Sequence, residues 1–185
     1  MTRTLVGLAL MLVAACSPRG VPASQAASAD SADQVMEQMV HTISTDGIKT
    51  VHLEADSAWV YNSRRVIDLK SVRMTFYSAS GAVRSRVTSD SGVYHLADGT
   101  LDARGNVVAT TPPPDSGVLK TEHLVFDKAT NRISSDTAYT FTSTKGNGSG
   151  ASFETDPDFR RFTSLQPRGR QRGEGFLLPG QDSTP

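Results

Sequence analysis

VTSDSGVYHLADGTLDARGNVVAT, residues Val87–Thr110, reads as three short strands separated by two turns. Ser89–Tyr94 ends in an aromatic, Ala97-Asp98-Gly99 turns, and Thr100–Ala103 follows. Arg104-Gly105-Asn106 turns again, and Val107–Thr110 completes the unit. Asp-Gly and Gly-Asn reach positive φ at little cost, so they suit tight hairpin turns. The runs between them are too short for helices and rich in Val, Thr, Leu and Tyr, which fit a pleated surface.

The phrase recurs. Upstream it is Ala55–Tyr61 (ADSAWVY), with further strands at Val66–Leu69 and Val72–Tyr77. Downstream it is Thr121–Phe126 (TEHLVF), then Arg132–Ser135 and Asp136–Phe141, and a fainter copy runs through Thr155–Phe159. The anchoring aromatics Tyr61, Tyr94, Phe126 and Phe159 are 33, 32 and 33 residues apart. Strand units at that period predict a stacked β-architecture in which each buries its apolar face on its neighbours. Helical repeats of similar length need apolar residues at i, i+3, i+4 and i+7, which these segments lack.

The chain has 185 residues and 37% hydrophobic content, enough for one domain. Lys+Arg and Asp+Glu are both 19, which argues against a nucleic-acid partner. A single cysteine excludes an intrachain disulfide and a cysteine-based zinc site. Aromatic content of 6% argues against a large aromatic core.

Met1–Ala15 reads as an export signal, with Arg3 before the uncharged apolar run Leu5–Ala15. That run is shorter than the roughly 20 apolar residues a membrane-spanning helix needs. It ends Val13-Ala14-Ala15-Cys16, which resembles a bacterial lipobox and makes Cys16 the expected lipidation site. Acyl chains there would tether the protein to a membrane. Ser17 follows; by the enterobacterial sorting rule it points to the outer membrane. Residues 16–46 are expected to be a lipidated N-terminus and flexible linker, rich in Ser, Pro and Ala at first. Within it, Asp33 caps either a short helix over Gln34–Ile43 or a partly ordered start to the domain.

The β domain is expected over 47–166. Val51, Leu53 and Ala55 alternate with His52, Glu54 and Asp56, and Val72, Met74 and Phe76 repeat the pattern. Pro112-Pro113-Pro114 marks a rim loop, because proline is excluded from central strands. Lys145–Gly150 reads as a glycine-rich connection; its loose match to a dinucleotide fingerprint is discarded, since Asp156-Pro157-Asp158 follows instead of a helix. Residues 167–185 read as a disordered tail. Arg160, Arg161, Arg168, Arg170 and Arg172 form a solvated edge, or alternatively meet anionic phosphates.

Catalytic motifs are missing. His41, His52, His95 and His123 have no metal-ligand spacing, and no nucleophile elbow is present. Asp56 and Asp90 occupy equivalent repeat positions, which suits turn or edge geometry better than a glycosidase pair. Neither enzyme activity, metal nor cofactor is expected. Trp59 is expected to fill a core or pack at its edge.

In order, Ala55-Asp-Ser-Ala58, Leu69-x-x-Val72-x-x-x-Phe76-Tyr77, Ser89-Asp-Ser-Gly-Val-Tyr94, Leu101-x-x-x-Gly105-Asn-Val107 and Leu119-x-Thr121-x-x-Leu124-x-Phe126-Asp127 lead to Gly148-x-Gly150-x-x-Phe153-x-x-Asp156. This series, over roughly Gly47 to Leu165, resembles the LptC family of periplasmic lipopolysaccharide-export proteins and, more broadly, OstA/LptA-like domains. The familiar LptC carries an uncleaved N-terminal transmembrane helix where this chain has a lipobox.

The resemblance implies an all-β fold: a twisted, partly open β-jellyroll of short antiparallel strands in hairpin units, with an apolar groove. It also implies a component of the lipopolysaccharide export bridge that holds lipid A acyl chains and passes them from the inner-membrane ABC transporter towards the outer membrane. An LptA-like bridge protein would pair with its strand edges, and the lipid anchor would sit on the periplasmic face of the inner membrane. The alternative is a structural adaptor lipoprotein working by edge pairing alone. Groove candidates are Leu53, Leu69, Val72, Met74, Phe76, Val87, Leu101, Val107, Leu124, Phe126 and Phe141, each of which either lines the groove or belongs to a closed core.

Overall fold

The computed structural model describes residues 31–114 and 116–171, with the side chains of 170 and 171 left aside. The leader, Cys16, Ser17, most of the linker and residues 172–185 lie outside the described residues. The described residues form strands throughout, with no helix. Six long strands come first: β1 (Gln34–Thr45), β2 (Ile48–Tyr61), β3 (Val66–Tyr77), β4 (Val83–His95), β5 (Leu101–Thr111) and β6 (Gly117–Asp127). Six short ones follow: β7 (Arg132–Ser135), β8 (Tyr139–Ser143), β9 (Gly146–Gly150), β10 (Ser152–Thr155), β11 (Thr163–Leu165) and β12 (Arg168–Gln171).

All pairings are antiparallel, and β1 to β6 lie side by side in chain order. Tight turns set this order. Asp46 and Gly47 both have positive φ between Thr45 and its partner Ile48, as a two-residue hairpin loop requires. Gly81 and Gly99 serve the next turns, and Asp98 accepts a hydrogen bond from the Thr100 amide (2.9 Å).

A crease crosses every long strand. Inward-facing residues alternate along each half-strand, then skip an extra residue: Leu53, Ala55, then Ala58; Leu69, then Val72, Met74, Phe76; Val87, Ser89, then Gly92, Tyr94; Leu119, Thr121, then Leu124, Phe126. Positive φ falls at the crease on alternate strands, at Gln38, Ser71, Gly105 and Asn106. Ladder pairing is interrupted there, with register shifts on both sides of β5, as bulges produce. The sheet therefore folds into two facing layers. Half-sheet I contains the segments leading to Phe76 and Thr121 and continues from β6 into β8, β9 and β12. Half-sheet II contains those around Leu69 and Phe126 and continues into β7, β10 and β11.

The crease accounts for several departures from expectation. Arg104-Gly105-Asn106 is the bulge inside one eleven-residue strand, not a turn between two. Val66–Leu69 and Val72–Tyr77 are likewise one strand. In the last full copy the break is complete, so β7 and β8 stay separate. Gln34–Ile43, read as either a short helix or a partly ordered start to the domain, belongs to strand β1, so among the described residues the sheet begins at Gln34 rather than near 47. Positive φ at Gln38 stretches the inward spacing between Met36 and Met39 to three residues, which mimics a helical step. Gly146–Gly150 is strand β9, and the tail contributes β12 at Arg168–Gln171.

Candidate functional site: the interior between the half-sheets

The two inner faces meet in one apolar interior. Phe76 of half-sheet I meets Phe126 of half-sheet II edge-on, with ring centroids 4.8 Å apart. Small residues line the crease, where the layers are closest: Ala55, Ala58 and Ala103 are fully buried. A side chain at Gly92 would press on the Asp102 carbonyl oxygen and on Val72. Farther from the crease the side chains lengthen to Leu53, Met74, Leu101 and Leu119.

Ten of the candidates gather here: Leu53, Leu69, Val72, Met74, Phe76, Val87, Leu101, Val107, Leu124 and Phe126 are each at most 3% exposed. They pack against one another, so the apolar trough is filled by the protein's own side chains. Phe141 is half-buried and packs against this core from one side, within an aromatic cluster formed with Tyr139, Phe153 and Phe162. Phe162 stacks on Phe153 (5.3 Å) and Phe141 (6.2 Å) and meets Tyr139 edge-on. Four rings thus gather locally in a chain poor in aromatics. The groove candidates left out Val51, Leu119, Ile133 and Phe153, all buried in the same interior. The alternation that gave Leu53 and Met74 extends to Val51 and Leu119.

Contacts that bridge the layers away from the crease include the hydrogen bond from the Tyr139 hydroxyl of β8 to Ser164 Oγ of β11 (2.7 Å) and two that involve titratable groups. Arg84 of β4 donates from Nε and Nη2 to both carboxylate oxygens of Asp158, at 2.6 and 2.5 Å, in the turn after β10. That guanidinium holds the Asp158 carboxyl below its ordinary range. His41 of β1 lies 5.2 Å from the Tyr94 ring of β4. Burial, with Lys128 nearby, lowers the His41 pKa. The Ser85 hydroxyl, fully buried in register with Phe76, has no hydrogen-bond partner.

Asp56 and Asp90 prove to be crease residues on the outer face. Asp56 accepts a hydrogen bond from Arg73 (2.9 Å), and Asp90 accepts one from the Asn106 amide (2.6 Å). Glu122 holds the matching place in β6, opposite the β5 bulge. His123 lies between Asp102 (3.1 Å) and Asp136 (2.6 Å), again outside. Trp59 is half-buried on the outer face, opposite Val35. Among the described residues no cluster of His, Cys, Asp and Glu is arranged to hold a metal ion.

The free edges are β1 on one side and β11 and β12 on the other. A sheet creased on itself, apolar inside and open at both strand edges, has a counterpart among solved structures. The crystal structure of LptH, described as the LptA homologous periplasmic component of the conserved lipopolysaccharide transport device from Pseudomonas aeruginosa, superposes with a TM-score of 0.52. It is 13% identical, over 68% of this chain and 95% of that one, so the likeness concerns the fold. None of the curated proteins compared with the chain matches it. The family model for lipopolysaccharide assembly, LptC-related, matches residues 4–165. The chain is a member of the LptC family. Membership places it in lipopolysaccharide transport, and the fold is the β-jellyroll of that neighbour. The match starts at Thr4, just before the apolar run Leu5–Ala15, and ends at the last residue of β11.

Proposed function

We propose that this LptC-family chain is a non-enzymatic carrier in the periplasmic lipopolysaccharide bridge. Lipid A acyl chains enter between the half-sheets, which part along the mouth opposite the crease while the crease holds them together. Leu53, Leu69, Val72, Met74, Phe76, Val87, Leu101, Val107, Leu124 and Phe126 then line the path, with Phe141 to one side of it. Lipid arrives from the inner-membrane ABC transporter and leaves towards the outer membrane. A lipid anchor on Cys16 keeps the domain at the periplasmic face of the inner membrane. Edge pairing by β1 and by β11 and β12 joins it to its neighbours, including an LptA-like protein, because unpaired strand edges present ready-made ladders.

The observation that carries this reading is an apolar interior made by two layers of one open sheet, bridged across the mouth by a few polar contacts. A fluorescent fatty-acyl probe tests it. The full chain in mild detergent should bind the probe, and bisphosphorylated lipid A should displace it; a probe that never enters contradicts the reading. The Phe76–Phe126 contact favours a second reading, an adaptor that pairs edges and carries no lipid. Under that reading the probe stays out while partners still bind.

A further inference from the structure

Beside the mouth lies a polar cleft of about 410 Å³ lined by Arg84, Arg132, Arg160, Arg161, Asp156 and Asp158. Four guanidiniums thus converge from β4, β7 and the segment after β10. Arg132 is paired with Glu154, and Arg84 with Asp158. Asp156 is occupied in its own turn, accepting from the Arg160 amide (2.9 Å). The guanidiniums of Arg160 and Arg161 carry no hydrogen bond or ion pair among the described residues and are exposed. The cleft therefore keeps a net positive charge with two arginines to spare.

Its internal carboxylate shows which ligand fits. Asp158 holds Arg84 through two short parallel bonds, the fork geometry with which a guanidinium also grips a phosphate. A phosphate dianion brings more charge and three acceptor oxygens, so it can engage Arg84 and the unpaired Arg160 and Arg161 together. A lone carboxylate cannot. The cleft contains the Arg84–Asp158 pair that bridges the layers, and Arg84 is the chain neighbour of Ser85, the ladder partner of Phe76.

We propose that this cleft is a phosphoryl-binding site, recognising a phosphate monoester or pyrophosphate either on a lipid headgroup or free in solution. The headgroup form rests on the carrier role proposed above; the free form does not. The test compares the full chain with an Arg160→Ala/Arg161→Ala variant. Both side chains are exposed and unpaired, so folding should be unaffected, as circular dichroism would verify. The probes are inorganic pyrophosphate, bisphosphorylated lipid A, lipid A stripped of phosphate, and the fatty-acyl probe.

The expected result is that the native chain prefers bisphosphorylated over stripped lipid A about tenfold, the worth of one good charge-assisted contact. The variant should lose that preference while acyl-probe binding is unchanged. Pyrophosphate binding that disappears in the variant supports the site even if no lipid enters, and assigns it to free phosphate. Equal preference in both proteins, or no phosphate dependence in the native chain with either probe, overturns the site. Failure of the acyl probe alone counts against the carrier role and not against the cleft.

Discussion

Gly105 shows how closely the crease constrains single residues. Its φ is +75°, and a Cβ there would sit 3.0 Å from an Asp90 carboxylate oxygen. Gly105→Ala should therefore cost about 1–2 kcal/mol, combining left-handed backbone strain with displacement of Asp90. Thermal melting against Gly47→Ala, which has positive φ but open space around it, separates the two contributions. Ser85 is the opposite case. Its buried hydroxyl has no partner, and leaving a polar group unsatisfied costs about 1–3 kcal/mol. Ser85→Ala should raise the unfolding free energy by about 1 kcal/mol in urea melts. Phe76→Ala should lower it by about 3–5 kcal/mol, since nothing lines up to fill the space beneath Phe126. At this scale the sequence was readable wherever alternation was regular, as at Leu53, Met74 and Phe76. Alternation with Val83 and Val87 also carries Ser85 to the inner face, but not the absence of a partner for its hydroxyl among the described residues.

Among the elements, the repeated phrase was legible as strands because its Val, Leu and Tyr alternate between turn residues. The crease was not, because one extra residue in a strand reads locally as a turn, as at Gly105-Asn106, or as a helical step, as at Met36 and Met39. β9 was hidden for another reason. Gly150 is required by crowding: a Cβ there would meet Ser164 Oγ at 2.5 Å and the Tyr139 ring at 2.7 Å. Packing between strands far apart in the chain chose that residue, so no local pattern revealed a strand.

The elements also set the pH response, through two of the contacts that bridge the layers, Arg84–Asp158 and His41–Tyr94. Arg84 depresses the Asp158 carboxyl, so that pair stabilises the fold above the ordinary carboxylate pKa of 3.8 and is lost as pH falls through the depressed value. His41 is lowered below 6.5 by burial, so the unfolded chain takes up its proton first as pH falls below neutral. Stability should thus decline as pH falls through 6.5 and below, through His41, and again in stronger acid through Asp158. In thermal melts across both declines, His41→Gln should flatten the first and leave the second. A first decline of unchanged size would remove His41 from the account.

For the molecule as a whole, the family and its β-jellyroll were legible through the order of motifs from Ala55 to Asp156, and the family model matches residues 4–165. Alternation alone left open whether the inward residues line a groove or a closed core; in the structure their own side chains fill the interior. Carriage of lipid then requires the layers to part while the crease holds. A diazirine-bearing aliphatic residue in place of Met74, which is 2% exposed, reports on this directly in living cells. The outward-facing neighbour Thr75 serves as control. The account predicts a lipopolysaccharide adduct from position 74 and none from 75. Lipid adducts absent from position 74, while β1 still crosslinks to a protein partner, would show that the interior never opens and would leave only the adaptor role.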